Sequence, residues 1–167
     1  MRLRATESRP EVVGPVQTGR FDRSSHARAA LVQAIDIART QQASLTVLTS
    51  YSTVLAWRGA TMPGLTQTIY DELMESARAE GQGVIDEAVK QVPDGMTAAT
   101  RLVDAPAAEA ILKEAGVAGY DLIALGSRGR GDVGSVFLGS VSHRVLHSSH
   151  IPVLVVTASE EAQPSPA

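Results

Sequence analysis

The sequence predicts an α/β protein in which five strands form a parallel sheet with helices on both faces. Two observations support this fold class. Strand-like apolar runs alternate with helical stretches, and the helical stretches carry apolar residues at three- and four-residue spacing. Such alternation implies right-handed crossovers, which build a parallel sheet that is covered on both faces. The 167 residues, 44% of them hydrophobic, suit one domain with a substantial core.

The composition excludes several classes of function. The net charge of -3 and the pI near 5.8 argue against a nucleic-acid binder with a basic face. Because the chain has no cysteine, it has no disulfide, no thiolate nucleophile and no Cys-based zinc site. Its start lacks the apolar core of a signal peptide, and no apolar run is long enough to span a membrane. We therefore expect a soluble cytoplasmic protein that contacts neither nucleic acid nor a membrane.

The first strand is the least regular element of the pattern. It starts at Val12, and glycines and a proline interrupt it before Phe21. Asp22 or Ser24 then caps an amphipathic helix that ends near Gln41. The apolar stripe of this helix consists of Ala27, Ala30, Leu31, Ala34, Ile35 and Ala38.

The middle of the chain holds two more strands and a long helix. Residues 45–48 (LTVL) are the second strand, and residues 97–103 (TAATRLV), rich in Thr and Val, are the third. Residues 52–64 form a loop that is either a surface lid or a partner contact. A long helix with one apolar face covers residues 70–92, and a shorter one covers residues 106–116.

The last unit, residues 121–156, organises the chain. An apolar run stops abruptly at Gly126, a glycine-rich loop follows, Ser140 opens a short helix, and residues 151–156 (IPVLVV) are the last strand. This order places unpaired backbone N–H groups and the positive end of a helix dipole where a strand stops, which suits an anion such as a phosphate. In parallel sheets, ligands bind at the carboxyl ends of the strands, where the strand order reverses.

Four residues of the loop follow the spacing G-x2-G-x9-G-S. Gly126 lets the chain turn off the strand end, and Gly129 lets the backbone approach a phosphate because it has no Cβ. Gly139 and Ser140 place N–H groups and a hydroxyl at the helix start. Arg128 adds mobile positive charge over the loop.

With this loop and the strand IPVLVV, the chain resembles the ATP-binding members of the universal stress protein family. The resemblance covers residues 12–156. It implies a sheet in the order 3-2-1-4-5, in a Rossmann-like sandwich related to the adenine-nucleotide α-hydrolases. We expect the domain to span residues 11–157, between a flexible arm at residues 1–10 and a disordered tail at residues 158–167.

The resemblance also implies a function, namely binding of ATP, or of AMP or ADP, in a regulatory role tied to stress. Mg²⁺ accompanies the nucleotide, and family members are commonly homodimers joined through the last strand. By this resemblance the phosphate ligands are Gly126, Arg128, Gly129, Gly139, Ser140, Val141 and Ser142.

The ribose and adenine contacts follow from the same resemblance. In the family, an Asp at the end of the first strand contacts the ribose. One alignment puts Gln17 at that position, and the other, which we prefer because the helix register follows from it, puts Asp22 there. Continuing that register, Ser50 and Val103 lie beside the adenine pocket, where contacts are mostly through the backbone.

Other activities have weaker signals. His143 and His147 stand four residues apart on the last helix, but no acidic residue is placed beside them, and no metal site is predicted. The loop lacks the lysine of G-K-[ST], so we expect at most a slow ATPase. Two alternatives stay open: a dimeric scaffold of the same fold that acts through protein partners without nucleotide, and a nucleotide hydrolase or adenylyl transferase on the related fold.

Overall fold

The computed structural model describes residues 11–15, 24–51, 66–96, 98–117, 119–127 and 138–158, the first of these ranges by its backbone alone. Within them, helices alternate with parallel strands, so the predicted α/β fold is confirmed. The elements in chain order are β1 (Glu11–Pro15), α1 (Ser25–Gln41), β2 (Ser44–Tyr51), α2 (Gln67–Val89), β3 (Ala98–Asp104), α3 (Ala107–Val117), β4 (Leu122–Gly126), α4 (Ser140–Ser148) and β5 (Val153–Val156).

The strands pair in the order β3-β2-β1-β4-β5, and every pair is parallel. From β1 the chain adds β2 and β3 on one side, and it then returns to the other side of β1 to add β4 and β5. The order therefore reverses between β1 and β4, whose last residues are Pro15 and Gly126. Open α/β sheets bind ligands in the crevice at such a reversal, outside the carboxyl ends of the strands.

The described part of the first strand covers Glu11–Pro15. This strand, β1, pairs with β2 through Val13↔Thr46 and Pro15↔Leu48, and its predicted extension towards Phe21 falls on residues outside the described ones. The Val-Val pair gives this segment the β-branched side chains that a central strand needs, whereas Gln17, Thr18 and Arg20 farther on are polar. Residues 16–23, which include Gln17 and Asp22, lie outside the described residues.

β2 is longer than predicted because its polar end is also buried. The predicted strand covers residues 45–48, yet pairing with β3 continues through Ser50↔Val103 to Tyr51↔Asp104. Thr49 and Ser50 are fully buried at this end. An apolar pattern cannot reveal a buried strand end that is made of hydroxyl side chains.

Two hydrophobic cores cover the two faces of the sheet, which confirms helices on both sides. The first core joins α1 and α2 to the sheet and contains Leu31, Ala34, Ile35, Ala38, Leu45, Val47, Ala88 and Ala124. The second joins α3 and α4 to the opposite face and contains Leu48, Ala108, Ala110, Ile111, Tyr120, Ile123, Leu125 and Val145. Successive residues of β4 alternate between the two cores, as the pleat of a strand requires.

α1 forms as predicted from its apolar stripe, all six residues of which are buried. The Oγ of Ser24 accepts a hydrogen bond from the backbone N–H of Ala27 at 3.2 Å, so Ser24 is the N-cap. The helix ends where Gln42 adopts a left-handed conformation with φ of 53°. Within the described residues, no helix has the length and apolar character needed to cross a membrane.

The end of β4 depends on a glycine. A Cβ added to Gly126 would lie 2.8 Å from the carbonyl carbon of His26 and 3.0 Å from the nitrogen of Ala27, both in the first turn of α1. Because these are backbone atoms, the helix itself would have to move. Gly83, on the exposed side of α2, has no atom within 4 Å of the same added carbon.

We predict that Gly126→Ala destabilises the fold, by about 1–3 kcal/mol, because it forces α1 away from β4. Gly83→Ala is the matched control, and it should raise the free energy of unfolding by up to about 1 kcal/mol because alanine is the better helix former. Urea unfolding of the two variants measures both effects. Equal stability of Gly126→Ala and the parent would contradict the close packing.

Candidate functional site

The candidate site lies at the carboxyl end of β4, where the strand order reverses. Residues 128–137, which include Arg128 and Gly129, lie outside the described residues, and the two ends of the glycine-rich loop can be described. The backbone N–H of Gly139 donates to the carbonyl of Ser127 at 2.8 Å. The two described ends of the loop therefore lie together, and α4 begins directly beside the end of β4.

Gly126 is required for a different reason from the one that the sequence suggested. Its φ is not in the left-handed region that favours glycine, so the turn itself does not demand it. The demand is for space, since the first turn of α1 rests on this residue. The start of α1 and the start of α4 thus both lie at the end of β4, and two helix dipoles direct their positive ends towards one edge of the sheet.

The N-cap residue of α4 is a glycine, so it offers no side-chain acceptor to the backbone donors of the first turn. Gly139 occupies the N-cap, with an extended conformation and no capping side chain, and Ser140 is the first residue of the helix. Gly139, and not Ser140, is therefore the N-cap of α4. The first intrahelical bond runs from the N–H of His143 to the carbonyl of Gly139 at 2.9 Å. The N–H groups of Ser140, Val141 and Ser142 precede that bond, so an external anion can accept from them.

Ser142, predicted as a phosphate ligand, places its hydroxyl elsewhere. The residue is 1% exposed, and its Oγ donates to the carbonyl of Gly126 at 2.7 Å. This bond fixes the first turn of α4 to the last residue of β4. The backbone N–H of Ser142 is still one of the three amides from which an anion can accept a hydrogen bond. The side chain therefore acts by positioning these amides.

Ser127 belongs to the site and was missed by the sequence analysis. Its N–H donates to the carbonyl of Val156 at 2.7 Å, and its carbonyl accepts from Gly139, so both backbone groups are engaged. Its side chain is also buried, and the Oγ has no hydrogen-bond partner among the described residues. The sequence signal that could have identified Ser127 is its position: it follows directly after the glycine that ends a buried strand.

Ser50 and Val103 meet on neighbouring strands at the same edge of the sheet. They are paired across β2 and β3, near the carboxyl end of each strand. Ser50 is 1% exposed, whereas Val103 is half-buried. The contact of Ser50 and Val103 with an adenine ring stays a prediction. The described residues contain no group of three or more His, Asp or Glu side chains that could hold a metal ion.

Residues 21–157 match the model of the universal stress protein family. The universal stress protein YxiE of Bacillus subtilis is 32% identical over 143 residues, which cover 81% of this chain and 94% of that protein. The universal stress protein in the QAH/OAS sulfhydrylase 3' region of Thermus aquaticus is 34% identical over 136 residues, with 81% of this chain and 93% of that protein covered.

Solved structures share the fold. The universal stress protein UspA from Lactobacillus plantarum aligns with a TM-score of 0.73 at 23% identity, over 89% of this chain and 97% of that chain. A universal stress protein in complex with cAMP aligns with a TM-score of 0.53 at 25% identity, over 91% and 100%. A universal stress protein family protein from Arabidopsis thaliana, with AMP bound, aligns with a TM-score of 0.63 at 16% identity, over 93% and 96%.

We predict opposite effects on stability for the two buried serines. Ser142→Ala removes the hydrogen bond to the carbonyl of Gly126 and leaves that carbonyl with one partner fewer. The free energy of unfolding should therefore fall by about 1–3 kcal/mol. Ser127→Ala removes a hydroxyl without a described partner, so stability should be unchanged or raised by up to about 1 kcal/mol. Thermal unfolding without ligand measures both, and equal losses in the two variants would contradict the assignment.

Proposed function

Because the chain belongs to the universal stress protein family, we propose that it is a cytoplasmic regulatory protein of the stress response that binds an adenine nucleotide. The phosphates lie on the glycine-rich loop and the first turn of α4. The ligand proposed first is ATP with Mg²⁺, and AMP and ADP are the alternatives. The observation that carries the proposal is the start of α4, whose amides have no capping side chain and stand beside the end of β4.

The position of these amides favours phosphate over a neutral ligand. The start of a helix attracts negative charge, and the effect is strongest within the first turn. Two helices begin at the end of β4, and the hydroxyl of Ser142 holds one of them in place. Gly126, Gly139 and the N–H groups after it thus form half of a phosphate cradle, and we assign the other half to Arg128 and Gly129.

A nucleotide is favoured over inorganic phosphate by the second half of the site. The carboxyl ends of β2 and β3 bring Ser50 and Val103 to the same edge of the sheet, where an adenine ring can lie against the backbone. The solved universal stress protein at 25% identity is a complex with cAMP, and the more distant Arabidopsis thaliana structure contains AMP. Both ligands carry an adenine and a phosphate.

We assign the ribose contact to Asp22. It stands two residues before Ser24, which caps the helix that rests on Gly126, and two residues span at most about 7 Å. Its carboxylate can therefore reach the crevice beside the start of α4. Gln17, two residues after the end of β1, is the competing residue.

We further propose a homodimer formed through β5. This strand lies at one edge of the sheet, and all four of its residues, Val153 to Val156, are half-buried rather than buried. A short apolar edge strand offers unpaired backbone groups and apolar side chains to a second copy. Pairing of the β5 strands of two copies would remove these backbone groups and these side chains from water.

We predict that the purified protein binds ATP saturably in the presence of Mg²⁺ and that Gly129→Val weakens this binding at least tenfold. The valine side chain would occupy the space that the phosphates need. Calorimetric titration with ATP, AMP and cAMP ranks the ligands. Gly83→Ala, on the exposed side of α2, is the matched control and should bind like the parent.

The same titration separates the competing assignments. Asp22→Ala should weaken binding more than Gln17→Ala if Asp22 contacts the ribose. Absence of saturable binding at millimolar nucleotide would overturn the proposal and favour a scaffold that acts through protein partners. Turnover of ATP well above that of the Gly129→Val variant would instead favour an enzyme.

We predict a dimeric mass at micromolar concentration and a monomeric mass for Val155→Lys, because a charge on the edge strand opposes pairing. Sedimentation equilibrium measures both masses. Val32→Lys, at an exposed site on α1, is the control and should leave the dimer intact. A dimer that persists in Val155→Lys would place the interface elsewhere.

A further inference from the structure

The outer face of α4 carries two histidines that the proposed function does not use. His143 and His147 are four residues apart, both are exposed, and their ring centroids are 5.2 Å apart with a tilt of 49° between the planes. Side chains four residues apart on a helix are neighbours on one face. Within the described part of the chain, no hydrogen bond or ion pair is formed by either ring, so their nitrogens face water.

The separation of the two rings fits a shared metal ion. Imidazole binds divalent transition metals at about 2.0–2.1 Å, which places a ring centroid about 3.2 Å from the ion. Two such rings on one ion have centroids about 4.5 Å apart in a square-planar arrangement and about 5.2 Å apart in a tetrahedral one. The two imidazole rings therefore need to move little to bind one ion.

The charges around the pair also permit a cation. Arg144 stands between the two histidines, and its Nη2 is 3.3 Å from the Oε1 of Glu109 on α3. The guanidinium thus points towards α3, and Glu109 offsets its charge. The same helical spacing of two histidines supplies two of the ligands in helix-borne zinc sites. Here the remaining coordination positions would be filled by water.

We propose that His143 and His147 form a two-imidazole site for a divalent transition-metal ion, with Cu²⁺ bound more tightly than Ni²⁺ or Zn²⁺. The order follows from the affinity series of nitrogen ligands for divalent metals. Calcium and magnesium are excluded because they require oxygen ligands. The sequence places no acidic residue beside the two histidines, which argues against a zinc site with three protein ligands. A site with two imidazole ligands does not need an acidic residue. Neither histidine is among the residues to which nucleotide binding is assigned.

Thermal unfolding of the untagged full chain with NiCl₂ alone provides the first test. Nickel should raise the unfolding midpoint by a few degrees at concentrations well above its dissociation constant, because the folded helix presents the pair preorganised. His143→Gln and His147→Gln should each abolish the shift. Glutamine is a good helix former and cannot replace the imidazole, so both variants should unfold like the parent in EDTA.

His150→Gln and His26→Gln are the matched controls. His150 lies two residues beyond the end of α4, and His26 lies on α1, so each should keep the full nickel shift. Electron paramagnetic resonance of one equivalent of Cu²⁺ provides the second test, with hyperfine splitting from two nitrogens expected in the parent and lost in His147→Gln. A nickel shift that survives in His147→Gln, or no metal effect in the parent, would overturn the proposal.

Discussion

The first turn of α1 lies in direct contact with the last residue of β4, and no room is left between them for a side-chain carbon. This contact sets the position of the first turn of α1 over the sheet. Because backbone atoms meet backbone atoms here, neither side can adapt by rotating a side chain. The carboxyl end of β4 is thus held rigidly against α1, and the candidate site lies around it. Gly126 permits this close contact because it has no side chain.

A second set of contacts brings α4 to the same point. The hydroxyl of Ser142 holds the carbonyl of Gly126, and the N–H of Gly139 holds the carbonyl of Ser127. Both bonds join residues on opposite sides of the glycine-rich loop, so they hold its two described ends together. The amides that begin α4 are therefore preorganised, and an anion that binds them does not have to order the helix first.

The Oγ of Ser127 is buried and has no hydrogen-bond partner among the described residues. A buried hydroxyl left without a partner costs about 1–3 kcal/mol of stability relative to a satisfied one. Such a residue at the end of a strand, beside a helix start without a capping side chain, is typical of a position where function opposes stability. α4 itself carries separate features on its two sides: the backbone donors at its start lie beside the sheet, whereas the histidine pair faces water.

The sequence by itself determined the alternation of helices and strands, the buried stripe of α1 and the place where Gly126 ends a strand, because each depends on local periodicity or on a neighbouring glycine. It could not determine where β1 ends, since Val12 and Val13 become a central strand only by pairing with β2 and β4. The tertiary structure alone assigned the cap of α4 to Gly139 and gave Ser142 its partner. It also showed that Gly126 is needed for space beneath α1. These features depend on contacts between residues that are far apart in the sequence, and no local pattern records such contacts.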